Sequence, residues 1–305
     1  DLPLNISREM LQHNPVLERI RQAVTRRVLS ELEAKAKNAA EEYAKFWGNF
    51  GAVLKEGLYE DHDNRDRLLE LARFRSTHGD GLVSLADYLG RMKEGQSAIY
   101  TINGDTLESL QRSPQLEGFR ARGVEVLLLT DPVDDFWLGT IHDYKDKPFK
   151  SVTRGGADLA AIKAETKADE KPEETPPDSQ IGTLIALLKQ NLGDAVKDVR
   201  VSDRLTESAV CLVADESGMD MHLERLLKQH RQLEKTTARI LEINAQHGLI
   251  KRLAALAVEK GAADRLADAA HLLLDQARIV EGEALPDPAA FARRLADAMQ
   301  KGLAA

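Results

Sequence analysis

Apolar residues first recur at helical steps along this chain, then switch to short continuous runs. Behind Asn14-Pro15, which reads as N-cap and first helical residue, Leu17, Ile20, Val24, Val28 and Leu32 fall at near-helical spacing and predict a long amphipathic helix. Helical composition continues to Phe46. There Phe46, Trp47 and Phe50 cluster around Gly48 and Gly51, which predicts a buried aromatic hinge. Past a polar Asp61-His62-Asp63 loop, with Asp63 as a cap, comes the helix carrying Leu68, Leu69 and Ala72. Short helices over 84–92, 105–111 and 116–122 then alternate with a strand over 98–103 and a continuous apolar strand over 125–130. Such alternation implies a small α/β layered unit. Asp134-Asp135-Phe136-Trp137 starts a short helix after Pro132.

Residues 156–178 are Lys, Glu, Ala and Pro in the main, too polar to offset the entropy of ordering, and are expected to be a linker or mobile loop. Beyond it the pattern predicts a helix over 180–191, strands over 196–202, 209–215 and 239–244, and a helix over 246–260. The expected organisation is therefore α+β with α/β character. Residues 1–155 form a helical segment and a small α/β/α unit, and residues 179–305 a C-terminal α+β domain with a three-stranded sheet.

Two amphipathic stretches in the second half admit two readings each. Met219, Leu223, Leu226 and Leu227 form one helical stripe, with His222, Glu224, Arg225 and Lys228 on the other faces; such a stripe is either core or an exposed apolar patch. In the tail, Leu266, Ala270, Leu273, Ala277 and Val280 make a heptad-like seam. Phe291, Leu295, Ala298 and Met299 follow it as a second stripe, after the turn Pro286-Asp287-Pro288. A helix pair has little core of its own. Its stripes are buried on the parent domain or on a twofold-related copy, which would make a dimeric four-helix bundle.

Composition narrows the function classes. With 305 residues and 43% hydrophobic content the chain can bury more than one core. A formal charge of -8 supplies no basic face for nucleic acid. Nothing reads as a membrane span, and the cytoplasm is the expected compartment. The single cysteine, Cys211, lies in an apolar run and is expected to pack in a core. The eight histidines show no ligand pairing, so no metal site is expected. No Ser/His/Asp, Cys/His or paired-carboxylate arrangement marks an independent enzyme.

The opening Asp-Leu-Pro-Leu-Asn-Ile-Ser-Arg-Glu-Met-Leu-Gln places Ser7 as a helix N-cap, with Arg8 and Gln12 one turn apart on one face. There Arg8 either pairs with a neighbouring carboxylate or reaches a phosphate. The stretch resembles the catalytic loop of the ninety-kilodalton heat-shock chaperone family. Further landmarks follow in order: Arg91-Met92-Lys93-Glu94-Gly95-Gln96 with Ile99-Tyr100, then Gly123-Val124-Glu125-Val126-Leu127, then Val199-Arg200-Val201-Ser202-Asp203-Arg204-Leu205.

This resemblance implies that Arg8, assisted by Gln12, contacts the terminal phosphate of ATP held with magnesium by a separate N-terminal domain. No P-loop, Gly-x-Gly-x-x-Gly or other phosphate cradle appears in the chain. The expectation is therefore a fragment covering the end of the middle domain and the C-terminal dimerisation domain, with no cofactor and no enzymatic activity of its own. The resemblance also implies client contacts near Asp135, with Phe136 or Trp137 as the exposed aromatic. It implies a client-binding helix at Met219, Leu223, Leu226 and Leu227, and a homodimer through the last two helices. Two readings stay open: a chaperone portion that binds non-native proteins and dimerises, or a scaffold that dimerises and relays movement.

Overall fold

The computed structural model describes residues 15–155, 159, 161–162, 176–233 and 237–303. Among these residues it is a mixed α and β fold of twelve α-helices and two small mixed sheets.

Three helices lead, α1 (Pro15–Asn38), α2 (Ala40–Glu60) and α3 (Arg65–Leu71). The expected apolar stripe of α1 is only partly used. Burial starts at Leu29 and Leu32, where α1 meets α2 and α3, while Ile20, Val24 and Val28 lie exposed. The expected hinge is absent. The helix α2 runs unbroken through Gly48 and Gly51, Trp47 is buried, Phe50 is exposed, and the chain bends at Ala39 instead. Nor does Asp63 cap α3. Asn64 holds the N-cap position without a capping side-chain bond; Asp61 accepts its backbone N–H at 3.2 Å and its side-chain amide at 2.8 Å.

The first sheet is built from β1 (Phe74–Ser76), β2 (Gly79–Val83), β3 (Ile99–Asn103), β4 (Val126–Leu129), β5 (Asp143–Tyr144) and β6 (Lys147–Ser151), in the order β2-β1-β4-β3-β6-β5. Helices α4 (Leu85–Gly90), α5 (Leu107–Gln111), α6 (Glu117–Ala121) and α7 (Val133–Trp137) connect the strands. The central pair β3 and β4 is parallel and buried on both faces. Ile99, Leu127 and Leu129 enter one core with Trp137, while Tyr100, Ile102, Val126 and Leu128 enter the other with Phe119. The landmark around Arg91 and Gln96 is a structural knot. Arg91 pairs bidentately with Glu125 at 2.8 and 3.0 Å, and the Tyr88 hydroxyl accepts from Gln96 and from the Tyr100 backbone while donating to the Glu125 carbonyl.

The second unit comprises α8 (Asp178–Leu192), β7 (Asp198–Val201), β8 (Val210–Val213), α9 (Met221–Gln229), β9 (Ile240–Ile243), α10 (Gly248–Ala257), α11 (Ala262–Val280) and α12 (Pro288–Leu303). Its sheet runs β7-β9-β8, and α8, α10 and α11 share a core with it. Leu266, Ala270, Leu273 and Ala277, expected at a dimer seam, are buried in this core against the chain's own helices.

The two units are stitched together. Arg154 bridges to Ala214 in parallel, and the Glu117 carboxylate accepts the backbone N–H groups of Thr206 and Glu207, each at 2.8 Å. Buried Arg204 pairs with Glu242 at 3.0 Å and also donates to the carbonyls of Val152 and Arg154. A Cβ at Gly118 would stand 2.7 Å from the Arg204 backbone, so only glycine allows this approach. Leu159 and Ile162, inside the expected linker, are core residues of the first unit; most of 156–178 lies outside the described residues.

Candidate functional site

Amphipathicity usually turns a helix's apolar stripe inward, but in α9 the buried residues are Met221, His222 and Glu224, two of them polar. Asp220 caps the helix, accepting the His222 N–H at 2.9 Å with one carboxylate oxygen and the Thr153 hydroxyl at 2.8 Å with the other. Glu224 is 1% exposed and pairs with buried Arg239 at 2.8 Å. Arg225 donates to Asp105 at 2.9 Å and to the Glu281 carbonyl at 2.7 Å, a carbonyl presented because Gly282 turns the chain at φ 73°. With this edge engaged, Leu223, Leu226 and Leu227 are left half-buried, and Met219, 38% exposed, precedes the helix rather than lying on it.

His222 reaches into the first unit. Its Nδ1 lies 2.8 Å from Asp135 and its Nε2 3.2 Å from Asp105. Burial alone would lower its pKa, but the hydrogen bonds to Asp135 and Asp105 outweigh it and hold the imidazole above its ordinary value. Asp135 is fixed from behind by the Asn103 amide at 2.8 Å. No spacing rule could have joined Asp135 to a histidine 87 residues away.

The other expected contact residues separate. In α7, the Trp137 indole donates to Asp134 at 2.7 Å, and Asp134 pairs with buried Lys55 of α2 at 2.9 Å. An indole N–H needs an acceptor when buried, and that acceptor draws Trp137 fully inside. Asp135 is interior as well. Of the three, Phe136 alone is on the surface, 43% exposed and edge-on to Tyr59 with ring centroids 6.5 Å apart. Arg8 and Gln12 lie outside the described residues. The α12 stripe has no buried member: Phe291 is half-buried, and Leu295 and Met299 are exposed with Leu303 one turn further on. Val280, expected on the α11 seam, is exposed too.

A cavity of about 290 Å3 separates the units beside His222, lined by Asn103, Asp105, Gln115, Arg225, Glu281 and Glu283 among others. The Glu281 carboxyl is pushed up to about 8 by burial and the neighbouring Glu283. Among the described residues no three His, Cys, Asp or Glu side chains are grouped to hold a metal ion, and no helix is long and apolar enough to cross a membrane. Cys211 is buried, and burial together with Glu242 raises its thiol pKa.

Comparison with known sequences places this geometry. A family model described as Hsp90 protein matches residues 1–305. The chain is 58% identical over 303 residues to a chaperone protein HtpG of Paramagnetospirillum magneticum, covering 99% of this chain and 49% of that protein. It is 56% identical to the protein of the same name from Roseobacter denitrificans, over 99% of this chain and 49% of that one. For that of Wolbachia pipientis wMel the identity is 48%, over 99% and 48% respectively. The chain thus spans about half the length of the curated relatives it matches.

Proposed function

The chain belongs to the Hsp90 protein family, and we propose that it forms the client-handling and dimer-forming portion of an ATP-driven folding clamp acting in the cytoplasm. The observation that carries this reading is helix α9, which buries His222 and Glu224 in ion pairs and leaves Leu223, Leu226 and Leu227 only half-buried beside exposed Met219. An apolar surface held open by ion pairs costs hydration free energy unless something else covers it, and flexible Met and Leu side chains adapt to many non-native partners. Met219, Leu223, Leu226 and Leu227 are the client surface in this proposal, joined by Phe136 on α7. Asp135 and Trp137 support that surface from inside.

Dimerisation is assigned to α12. Phe291, Leu295 and Met299 offer one stripe to a second copy, whereas Leu266, Ala270, Leu273 and Ala277 hold α11 on its own domain. Residues 1–155 and 179–305 are taken as separate domains, joined by Arg204 on the Val152 and Arg154 carbonyls and by the His222–Asp135 contact. Arg8 and Gln12 are assigned to ATP phosphate contact in the longer protein, with nucleotide and magnesium held beyond this chain.

The test replaces Met219, Leu223, Leu226 and Leu227 with serine and measures how well the chain suppresses aggregation of a heat-denatured protein. These side chains lie outside the buried core, so the variant should stay folded while suppression falls severalfold or more. Unchanged suppression by a folded variant overturns client binding and leaves the alternative, a scaffold that dimerises and transmits movement.

A further inference from the structure

Resting on that reading of α9, we propose that Asp105 and Asp135 act through His222 as a latch that sets which face of α9 meets solvent. Asp135 is then a positioning residue for client handling and not itself a contact. The geometry is specific: both imidazole nitrogens face carboxylates, Nδ1 at 2.8 Å from Asp135 and Nε2 at 3.2 Å from Asp105. Only the doubly protonated ring donates to both, so the closed latch carries the proton.

Each carboxylate is in turn restrained. Asn103 donates to Asp135 at 2.8 Å and Arg225 donates to Asp105 at 2.9 Å. The charged and titratable groups around the ring come from every neighbouring element. They are Arg225 on α9, Asp220 at its N-cap, Asp105 before α5, Asp135 on α7, and Glu281 at the end of α11, whose carbonyl holds Arg225. Since Asp135 and Asp105 belong to the first unit and His222 to the second, the contact that orients α9 also joins the domains. Opening the latch removes the contact of the helix's first turn with Asp135 and leaves its orientation to Glu224 on Arg239, the Asp220 cap on Thr153 and Arg225 on the Glu281 carbonyl.

The pH dependence has a definite sign. The folded pKa of His222 is raised, so the stabilisation is fully present below the ordinary histidine value and is lost as pH rises through the folded one.

The experiment is amide hydrogen exchange of the full 305-residue chain without any client, across a pH series corrected for intrinsic exchange. Wild type is compared with Asp135→Asn, Asp105→Asn and His222→Gln. Each variant loses a charge-assisted hydrogen bond, and α9 amides should exchange roughly tenfold or more faster while β3 and β4 stay protected. Protection of α9 in the wild type should decline with rising pH, and this decline should be absent in His222→Gln. Asp105 is an exposed side chain, so Asp105→Asn cannot act by unfolding the core. Unchanged α9 exchange in the three variants, or the same pH profile without the histidine, overturns the latch. Because no client is present, this outcome is separate from whether the leucines bind one.

Discussion

Glu224→Ala removes the carboxylate that holds the buried edge of α9. Glu224 is 1% and Arg239 7% exposed, with 2.8 Å between their charged atoms, and the other Glu224 oxygen accepts the Thr237 N–H. After the substitution Arg239 keeps, among the described residues, one ion pair, to Glu283 at 3.7 Å and itself partly exposed. Removing one member of a buried pair costs about 3–5 kcal/mol because the survivor stays desolvated and uncompensated. The residual Glu283 contact places this case near the lower end, about 3 kcal/mol, or on the order of 10 °C in melting temperature for a domain of this size. The assay is thermal and urea unfolding by circular dichroism. Glu224→Met combined with Arg239→Met removes both charges and should recover most of the loss. A single variant within about 0.5 kcal/mol of wild type, the scale of an ordinary surface change, would refute the reasoning. So would a double variant as unstable as the single.

Two further outcomes follow from the same structure. Leu295→Asp with Met299→Asp places charges on the exposed α12 stripe, so light scattering should report a dimer for the wild-type chain and a monomer for the variant, with the melting curve preserved; a dimeric variant would remove α12 from the interface. Glu281→Gln tests the raised carboxyl. A folded pKa of about 8 against an ordinary 4.5 means the wild type loses this group's stabilisation as pH climbs between those values, while glutamine loses none. The variant should match the wild type near pH 5 and melt higher near pH 9, and equal melting at both would show that the carboxyl is not confined.

The periodicity of the chain already contained the order of its helices and its three-stranded sheet. Strands β3 and β4 were legible because continuous apolar runs are what a parallel sheet covered on both faces requires. The hairpin of β5 and β6 was not, since its two-residue turn uses Lys145 and Asp146 at φ 50° and 62° and lacks the usual Asn-Gly signature. Short β1 and β2 carry Arg75, Asp80 and two glycines, and gave no alternation to read.

The site was half legible. The stripe of Met219 and its leucines stands out at helical spacing, but which side of α9 is buried depends on Asp135, Asp105 and Arg239, all distant in sequence. Likewise the α11 seam reads as a heptad, and nothing local distinguishes a partner helix in another copy from α8 in the same chain. Trp137 and Phe136 are adjacent and similar in hydrophobicity; Asp134, as acceptor for the indole, decides which one is inside.

The proposed client role of the half-buried α9 leucines is tested most directly by a photo-crosslinking residue at Leu227, compared with the same residue at Leu249, an exposed leucine on α10. Mixed with a denatured protein and illuminated, the chain should form covalent adducts from position 227 and few from position 249. Equal yields from the two positions, or none from 227, would contradict the account.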